Sequence, residues 1–507
     1  MNVKNLHRRK EALMKPRVPG GSVVLLAFLA AVAAFAQHAG GVVGGVEVED
    51  MPIPPGVDVF DLNLEQTRFY SRSKNFEVVG QSYFKGPWLG PFALANKTGA
   101  GFNTVRVHKG IAYLGGYNTP ATLFGVLIAD VEDPRDMKAL SLIPCNPGTR
   151  CNYLRFNPKR QILVVGHDAD AANPTKPPAG QSVQAGISFH DVSDPRNPKL
   201  LGFSLSQENG DTHGLEIDDR YVYTCANTTR SRKGKDVRGS NEELLIIDYN
   251  DPTRPALVGS LHIKGQHLGE TFEPQDQRNP DGSPQLISCH EINLHKGRLY
   301  IAYRDAGTVI VDVTDPRKPS VISRLDYVPP FNGGRLGAAH TSAPVVVDAD
   351  KHPTLVVHTD EIFECPPGFG RIIDISNLSS PQVISSFRVP HIADNFDYTT
   401  GKFICPPGQQ SIHYPWFDFR SPSLFYVAWY DQGLRAWDIS NPFMPREVGY
   451  YLSPKYAPPG RPGRQTRESF QDPETGLIYM TDGNGGGLTV LRWIGPIPSR
   501  PPIPGGR

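Results

Sequence analysis

The chain has 507 residues and is almost balanced in charge, with 52 lysines and arginines against 51 aspartates and glutamates. A balanced chain gives no reason to expect nucleic acid or a strongly anionic surface as its partner. After the first 37 residues no stretch is long and apolar enough to span a bilayer, so the sequence predicts no membrane span in the mature chain.

The segment Leu6–Gln37 has the layout of a secretory signal peptide. A basic start, His7–Lys10, is followed by the apolar run Val23–Ala36, which ends in the small-residue pattern Ala-Phe-Ala. The run is shorter than the roughly twenty residues that a bilayer requires. We therefore predict a signal peptide over 1–36 and a mature chain that is exported to the periplasm or outside the cell.

A short motif recurs along the chain at roughly sixty-residue intervals. Most copies are apolar runs rich in β-branched residues that end at an aspartate and continue into an Asp-Pro or Asn-Pro turn. Aspartate bonds its own downstream backbone and proline presets φ, so the motif predicts a strand end with a tight turn. The seven copies begin at Gly125, Gly186, Leu244, Gly307, Gly370, Gly433 and Gly487.

Two further strand patterns precede each copy and one follows it, which makes the unit a four-stranded antiparallel meander. Such a sheet cannot bury both faces alone, and radial stacking of the sheets around an axis solves that problem. The sequence therefore predicts an all-β, seven-bladed β-propeller over 75–494. An N-terminal segment, 37–74, precedes it, and a tail rich in proline and glycine, 495–507, follows it.

The seventh unit has only three strand patterns before the tail. Asn75–Phe84 resembles the fourth strands of the other units, so we expect it to complete the last blade and to close the ring without a free sheet edge. Val57–Leu62 also resembles a third strand, which leaves the details of the closure open.

Six cysteines in a chain that we expect to be exported indicate disulfides rather than redox catalysis. An alternative keeps Cys289 free as a ligand beside His290. The expected pairs are Cys145 with Cys151, Cys225 with Cys289, and Cys365 with Cys405.

The segments that begin at Ile187, Thr308 and Gly433 (ISFHDVSDPRNP, TVIVDVTDPRKP and GLRAWDISNP) resemble the LVIVD repeat of extracytoplasmic bacterial and archaeal propellers. The resemblance extends over about 75–493 and implies the fold and the export. The seventh copy departs from it, with arginine and tryptophan where the aspartate should stand. The motif belongs to the strands and turns that build the fold, so the resemblance implies little about activity.

The long insertions between the predicted strands all fall on one face, which we call the long-loop face. Long ordered loops usually carry function, so this face is the predicted binding face. The insertions are Gly166–Ala185, Asn227–Asn241, Lys264–Ser288, His391–Ser411 and Leu452–Arg467.

Aligning the blades on their first strand, which lines the central channel, shows one position where histidine recurs. In blade order the residues there are Asn103, Asn152, His213, His290, His340, His413 and Glu468. Imidazole is the commonest metal ligand near neutral pH, and several histidines with a carboxylate suit copper, zinc or iron. We therefore predict that the four histidines bind a transition metal, with Glu468 as a further ligand or as a general base.

Two classes of function remain open. The first is a metal-dependent oxidoreductase, hydrolase or lyase that acts on a small-molecule substrate in the channel. The second is a non-catalytic scaffold that binds a partner protein or a surface polymer through the long-loop face. In the second case the histidines tie neighbouring blades together or bond buried water, as Asn103 and Asn152 suggest.

Overall fold

The computed structural model describes residues 42–45, 47–85, 99–117, 124–231, 241–278, 284–326, 338–389, 396–397, 399–400, 402–405, 408–455, 463–499 and 501–502. The predicted signal peptide lies outside these ranges, and the predicted domain boundaries stay predictions. Within the described ranges, no helix combines the length and the apolar character that crossing a membrane requires.

The described chain is almost entirely β-structure and forms seven four-stranded antiparallel blades, which confirms the predicted propeller. The strands of blade 1 are Phe102–His108, Ile111–Gly116, Gly125–Asp130 and Lys138–Pro144, and those of blade 2 are Leu154–Asn157, Ile162–Ala169, Gln184–Asp191 and Lys199–Glu208. The strands of blade 3 are Thr212–Ile217, Tyr221–Ala226, Glu243–Asp248 and Ala256–Leu261, and those of blade 4 are Glu291–His295, Arg298–Ala302, Thr308–Asp312 and Ser320–Leu325. In blade 2 the short strand Thr149–Arg150 also pairs with Ile162–Ala169.

Blades 5 to 7 follow the same plan, and the last blade takes its fourth strand from near the N-terminus. The strands of blade 5 are Ala339–Pro344, Leu355–Asp360, Gly370–Asp374 and Gln382–Arg388. Those of blade 6 are Pro415–Asp418, Ser421–Ala428, Leu434–Asp438 and Arg446–Leu452, and those of blade 7 are Thr466–Gln471, Leu477–Asp482, Gly487–Trp493 and Phe76–Ser82. The short strands Phe396–Asp397 and Lys402–Phe403 pair with each other.

The repeated aspartate ends each third strand in the way that the sequence predicts. In six blades its side-chain oxygen accepts a hydrogen bond from the backbone N–H two residues further on, at 2.8–3.1 Å. This local bond competes with continuation of the strand and starts the turn. The six residues are Asp130, Asp191, Asp248, Asp312, Asp374 and Asp438.

The hydrophobic core lies between neighbouring blades. Along Thr308–Asp312, Val309 and Val311 pack into a cluster with residues of blade 3, whereas Ile310 between them packs against blade 5. Side chains of a strand alternate between the two faces of its sheet, so one apolar run supplies two interfaces. This explains why the repeat is continuously apolar rather than alternating.

Strands near the N-terminus clasp the outer edges of three blades. Phe76–Ser82 pairs antiparallel with Gly487–Trp493 and completes blade 7, as predicted. Arg72–Lys74 pairs with the outer strand of blade 6, and Val42–Gly44 runs parallel to the outer strand of blade 5. We call these three strands the N-terminal clasp.

The alternative of a third strand at Val57–Leu62 is wrong. Val59–Asp61 forms a 3-10 turn, because the Asp58 side chain accepts a hydrogen bond from the Phe60 N–H. The helix Leu64–Tyr70 follows, and Asn63 begins it with a capping box.

All three predicted disulfides are present, and the alternative of a free Cys289 is wrong. The bond from Cys225 to Cys289 joins the second strand of blade 3 to the residue before His290. It therefore fixes the entry of the chain into blade 4 beside the channel.

Candidate functional site

The first strands of blades 3 and 5 carry a bulge at the recurring channel position. In blade 3 the pairing with the second strand shifts between His213 and Leu215, and in blade 5 it shifts between Ala339 and Thr341, around His340. A bulge adds an unpaired residue to one strand and redirects its side chain. In these two blades the histidine at the recurring position of the alignment therefore lies next to the unpaired residue or is that residue.

The structure brings the four predicted histidines together. Their rings form a continuous series from blade 3 to blade 6, and all four residues are buried or nearly so. The centroid distances are 4.3 Å from His213 to His290, 4.7 Å from His290 to His340, and 4.0 Å from His340 to His413.

A carboxylate that the sequence analysis missed lies against three of these rings. Glu361 follows the second strand of blade 5, and its two oxygens lie 3.8 Å from His290 Nε2 and 3.8 Å from His413 Nε2. His290, His340 and Glu361 each offer a ligand atom within 4.8 Å of the others, a spacing that one metal ion can bridge. We call His290, His340, His413 and Glu361 the channel cluster.

The nitrogens of the channel cluster that face Glu361 are available as ligands. Among the described residues, neither His290 Nε2 nor His413 Nε2 has a hydrogen-bond partner, although both atoms are buried. The other nitrogen of His413 donates to the backbone carbonyl of Arg467, and His340 Nδ1 lies 2.8 Å from Thr341 Oγ1. Such second contacts fix the orientation of metal-binding imidazoles.

His213 is placed differently from the other three. Its Nε2 lies 2.9 Å from the Tyr153 hydroxyl, and its Nδ1 lies 3.4 Å from a carboxylate oxygen of Asp168. Both nitrogens therefore face protein partners. His213 stacks on His290 and closes one side of the channel cluster, and its role as a ligand stays a prediction.

In blade 7, the alignment made from the sequence is one residue out of register. Thr466 pairs with Asp482 as Thr212 pairs with Ala226, so Arg467, not Glu468, corresponds to His213. The Glu468 carboxylate accepts hydrogen bonds at 2.8 Å from the Val105 N–H and at 2.9 Å from the Arg106 guanidinium. It joins blade 7 to blade 1, while its predicted catalytic role stays a prediction.

Three consecutive blades contribute to the surroundings of the channel cluster from one equivalent position. Arg304, Glu361 and Tyr430 each lie two residues beyond the last second-strand residue that pairs with the third strand. Arg304 Nη1 donates to Glu361 at 3.1 Å, and the Tyr430 hydroxyl donates to its other oxygen. Aligning the ends of the second strands, as well as the starts of the first, would have found this set.

Burial and charge determine the protonation of the channel cluster. Burial lowers the pKa of His413 to about 3 and holds the pKa values of His290 and His340 well below their usual range. Burial opposes the ionisation of Glu361, but its electrostatic interactions with the neighbouring His340 ring and the Arg304 guanidinium outweigh burial and hold the pKa of this carboxyl well below its usual range. At neutral pH the site thus offers neutral imidazoles and a carboxylate, the forms that bind metals.

A second buried acid lies next to the channel cluster in the chain. Glu291 directly follows His290 and is fully buried, and this burial raises the pKa of its carboxyl to about 8. A carboxylic acid in that range holds a proton near neutral pH, as general acids in enzymes do.

Replacing Gly214 by alanine is expected to displace His290 and to weaken metal binding. Gly214 has φ of +36°, and an added Cβ would lie 1.9 Å from the His290 carbonyl oxygen. Gly476 is the matched control, because it has φ of +73° and nothing within 4 Å of an added Cβ. We expect Gly476→Ala to lower the free energy of unfolding by only roughly 1–2 kcal/mol, the cost of a left-handed conformation for a residue with a Cβ. Gly214→Ala should lower it by more, and thermal unfolding of both variants measures the difference. Equal losses in the two variants would contradict the steric explanation.

A family model matches the repeat, and two solved structures are similar to the chain. A family model described as the LVIVD repeat matches residues 239–262, 291–326, 371–389 and 424–453. No curated protein matches the chain. The chain is similar to the crystal structure of the computationally designed Ika8 protein, at 11% identity and a TM-score of 0.41, over 77% of this chain and 96% of that one. It is also similar to a chain in the crystal structure of the Mitotic Checkpoint Complex, at 9% identity and a TM-score of 0.46, over 89% of this chain and 99% of that one.

Proposed function

Because the chain carries LVIVD repeats on a seven-bladed β-propeller, a scaffold that specifies no chemistry, we propose its function from the channel cluster alone. His290, His340, His413 and Glu361 bind one transition metal ion, copper, zinc or iron. The bound ion acts on a small substrate that enters from the long-loop face.

The two buried, unbonded nitrogens carry this proposal. More than nine in ten buried polar groups in proteins have a hydrogen-bond partner, so His290 Nε2 and His413 Nε2 are exceptions that require an explanation. Both face Glu361, and an ion between them would satisfy all three groups at once. Three imidazoles with one carboxylate form a donor set that suits these metals.

The surroundings support a role in catalysis rather than in structure alone. A metal in such a site polarises a substrate or lowers the pKa of a bound water, as oxidoreductases, hydrolases and lyases require. The Tyr430 hydroxyl and the Arg304 guanidinium hold the Glu361 carboxylate in place. The Arg304 and Glu361 side chains are 17% and 11% exposed, and we propose that a small molecule reaches the site from this side.

The charges beside the channel cluster favour an anionic substrate. Arg467 is buried, donates to the Asn103 side chain at 2.8 Å and to the Tyr430 hydroxyl at 2.5 Å, and packs on the Tyr117 ring. In the described part of the chain, no carboxylate forms an ion pair with it. The Arg467 charge interacts with Glu361, which in this proposal binds the metal, so a small anion beside the ion is the further partner that we propose for this guanidinium.

The same proposal includes export. Disulfides form and persist chiefly in oxidising compartments, so the three disulfides favour the periplasm or the cell exterior. The predicted signal peptide favours the same location.

Metal analysis of the purified mature protein tests the proposed function. The protein is loaded with Zn²⁺ or Cu²⁺, dialysed, and its ions are counted by mass spectrometry. A variant with His290→Ala, His340→Ala and His413→Ala should hold one ion fewer than the unmodified protein. Isothermal titration should show the loss of one binding phase.

The matched control replaces three histidines outside the site, His108, His295 and His352, by alanine, and should keep the full metal content. Circular dichroism checks that each variant is folded. If the channel variant keeps every ion that the unmodified protein holds, the metal proposal is overturned and the scaffold hypothesis takes its place.

A further inference from the structure

A second group of histidines and carboxylates lies outside the channel, at the long-loop end of blade 3. His262 follows the fourth strand of this blade, and His267 and Glu270 lie in the insertion that comes next. Glu243 begins the third strand of the same blade. We call these four residues the blade-3 cluster.

A tight turn brings the two histidines face to face. The Gln266 N–H donates to the Ile263 carbonyl at 3.1 Å, and Gly265 has φ of +107° at the third position of this turn, as a type II turn requires. The buried Gln266 side chain donates to the Glu242 carbonyl at 2.8 Å and so anchors the turn in the core. The flanking rings of His262 and His267 stack at a centroid distance of 3.6 Å.

The carboxylates of the blade-3 cluster face the ring nitrogens. His267 Nε2 lies 3.1 Å and 3.0 Å from the two oxygens of Glu243, and His262 Nε2 lies 3.1 Å from Glu270. Ligands bonded at about 2.0 Å to a tetrahedral zinc ion lie about 3.3 Å apart, which is close to these separations. Glu243, His262 and His267 each offer a ligand atom within 4.8 Å of the others.

The charge of Glu243 requires a cation. Its side chain is 1% exposed, and it accepts a hydrogen bond at 2.6 Å from the Thr228 hydroxyl. Within the ranges that the structure describes, its one ion-pair partner is His267, and no lysine or arginine contacts it. A buried carboxylate is unfavourable without a compensating charge, and a metal ion held by the same groups would supply that charge.

We propose that the blade-3 cluster binds a divalent transition metal ion, for which zinc is the best match, through Glu243, His262 and His267. A Glu270 oxygen lies 3.1 Å from His262 Nε2 and adds a second negative charge beside this set. A divalent ion balances the charge of the two carboxylates. Partial exposure of His262 and Glu270 gives the ion access from solvent. The ion fastens the start of the Lys264–Ser288 insertion to the third strand of blade 3, so its role is structural.

Zinc titration of two variants tests this site independently of the channel. The protein that lacks the three channel histidines should still bind one Zn²⁺ per chain, measured by calorimetry and by mass spectrometry of the dialysed protein. Adding His262→Gln and His267→Gln should remove that ion. Replacement of the half-buried His295 and the exposed His352 by glutamine is the matched control and should leave the ion in place.

A second measurement covers the case in which the channel variant does not fold. His262→Gln with His267→Gln in the otherwise unmodified chain should lose one bound Zn²⁺ and the part of the zinc-dependent rise in melting temperature that this ion supplies. The channel ion should stay, so failure of one proposal is distinguishable from failure of the other. Unchanged zinc content and an unchanged zinc-dependent shift would overturn the blade-3 proposal.

Discussion

Replacement of Glu468 by alanine is expected to lower the free energy of unfolding by about 3–5 kcal/mol. The Glu468 side chain is 1% exposed and pairs with Arg106, whose side chain is 9% exposed, across the seam between blade 7 and blade 1. Truncation leaves the Arg106 charge without its carboxylate and leaves the Val105 N–H unbonded in the core. Urea unfolding followed by circular dichroism measures the loss.

Glu77→Ala is the matched control for this prediction. Glu77 also pairs with an arginine in blade 7, Arg492, at 2.6 Å, but both side chains are about half exposed. Exposed ion pairs contribute about 0–1 kcal/mol, so this variant should unfold nearly like the unmodified protein. Metal affinity provides a second measurement. A stable Glu468→Ala protein that has lost its channel ion would contradict the assignment of Glu468 to the seam and would support its predicted role at the metal.

Replacement of Glu361 by alanine is expected to raise the dissociation constant of the channel ion by at least about 100-fold. Loss of a group that only supports a metal ligand costs about 10–100-fold in affinity, and Glu361 is positioned to be a ligand itself. The variant also leaves Arg304 as an uncompensated positive charge beside the ion. Competition of the protein with a chromophoric zinc chelator measures the change.

Two further variants provide a weaker change and a control for Glu361→Ala. Tyr430→Phe removes the hydroxyl that donates to Glu361 and should weaken binding by about 10-fold, as the loss of a supporting contact does. Glu364→Gln changes an exposed carboxylate three residues further along the same loop and should have no effect. An unchanged affinity in Glu361→Ala would exclude this carboxylate from the metal site.

The repeat made the fold predictable because each copy combines an apolar strand with local turn chemistry. Asp312 and its equivalents accept a hydrogen bond from a backbone N–H only two residues further on, so their role can be predicted from the local sequence. The recurring channel position was equally accessible, since four histidines occupy it in consecutive blades.

Features that depend on pairing register or on a loop were not predictable in the same way. The bulge in the first strand of blade 7 shifts the register by one residue, which exchanges Arg467 and Glu468 at the channel. Glu361 lies after a strand, at a position where blades 4 and 6 have arginine and tyrosine. No single residue type recurs there, so only the spatial convergence of three loops identifies it.

The N-terminal clasp contains strands that are synthesised first but pair with strands that are synthesised late. Gln81 donates a hydrogen bond to Gly486, a partner 405 positions later in the chain, so a strand synthesised early waits for almost the whole protein before it can pair. Closing a loop of that length carries a large entropic cost that is recovered only when blade 7 forms. Until then two sheet edges stay open to intermolecular pairing. We therefore expect completion of the ring to be the slow and aggregation-prone step of folding, and we expect truncation at either end to prevent this completion.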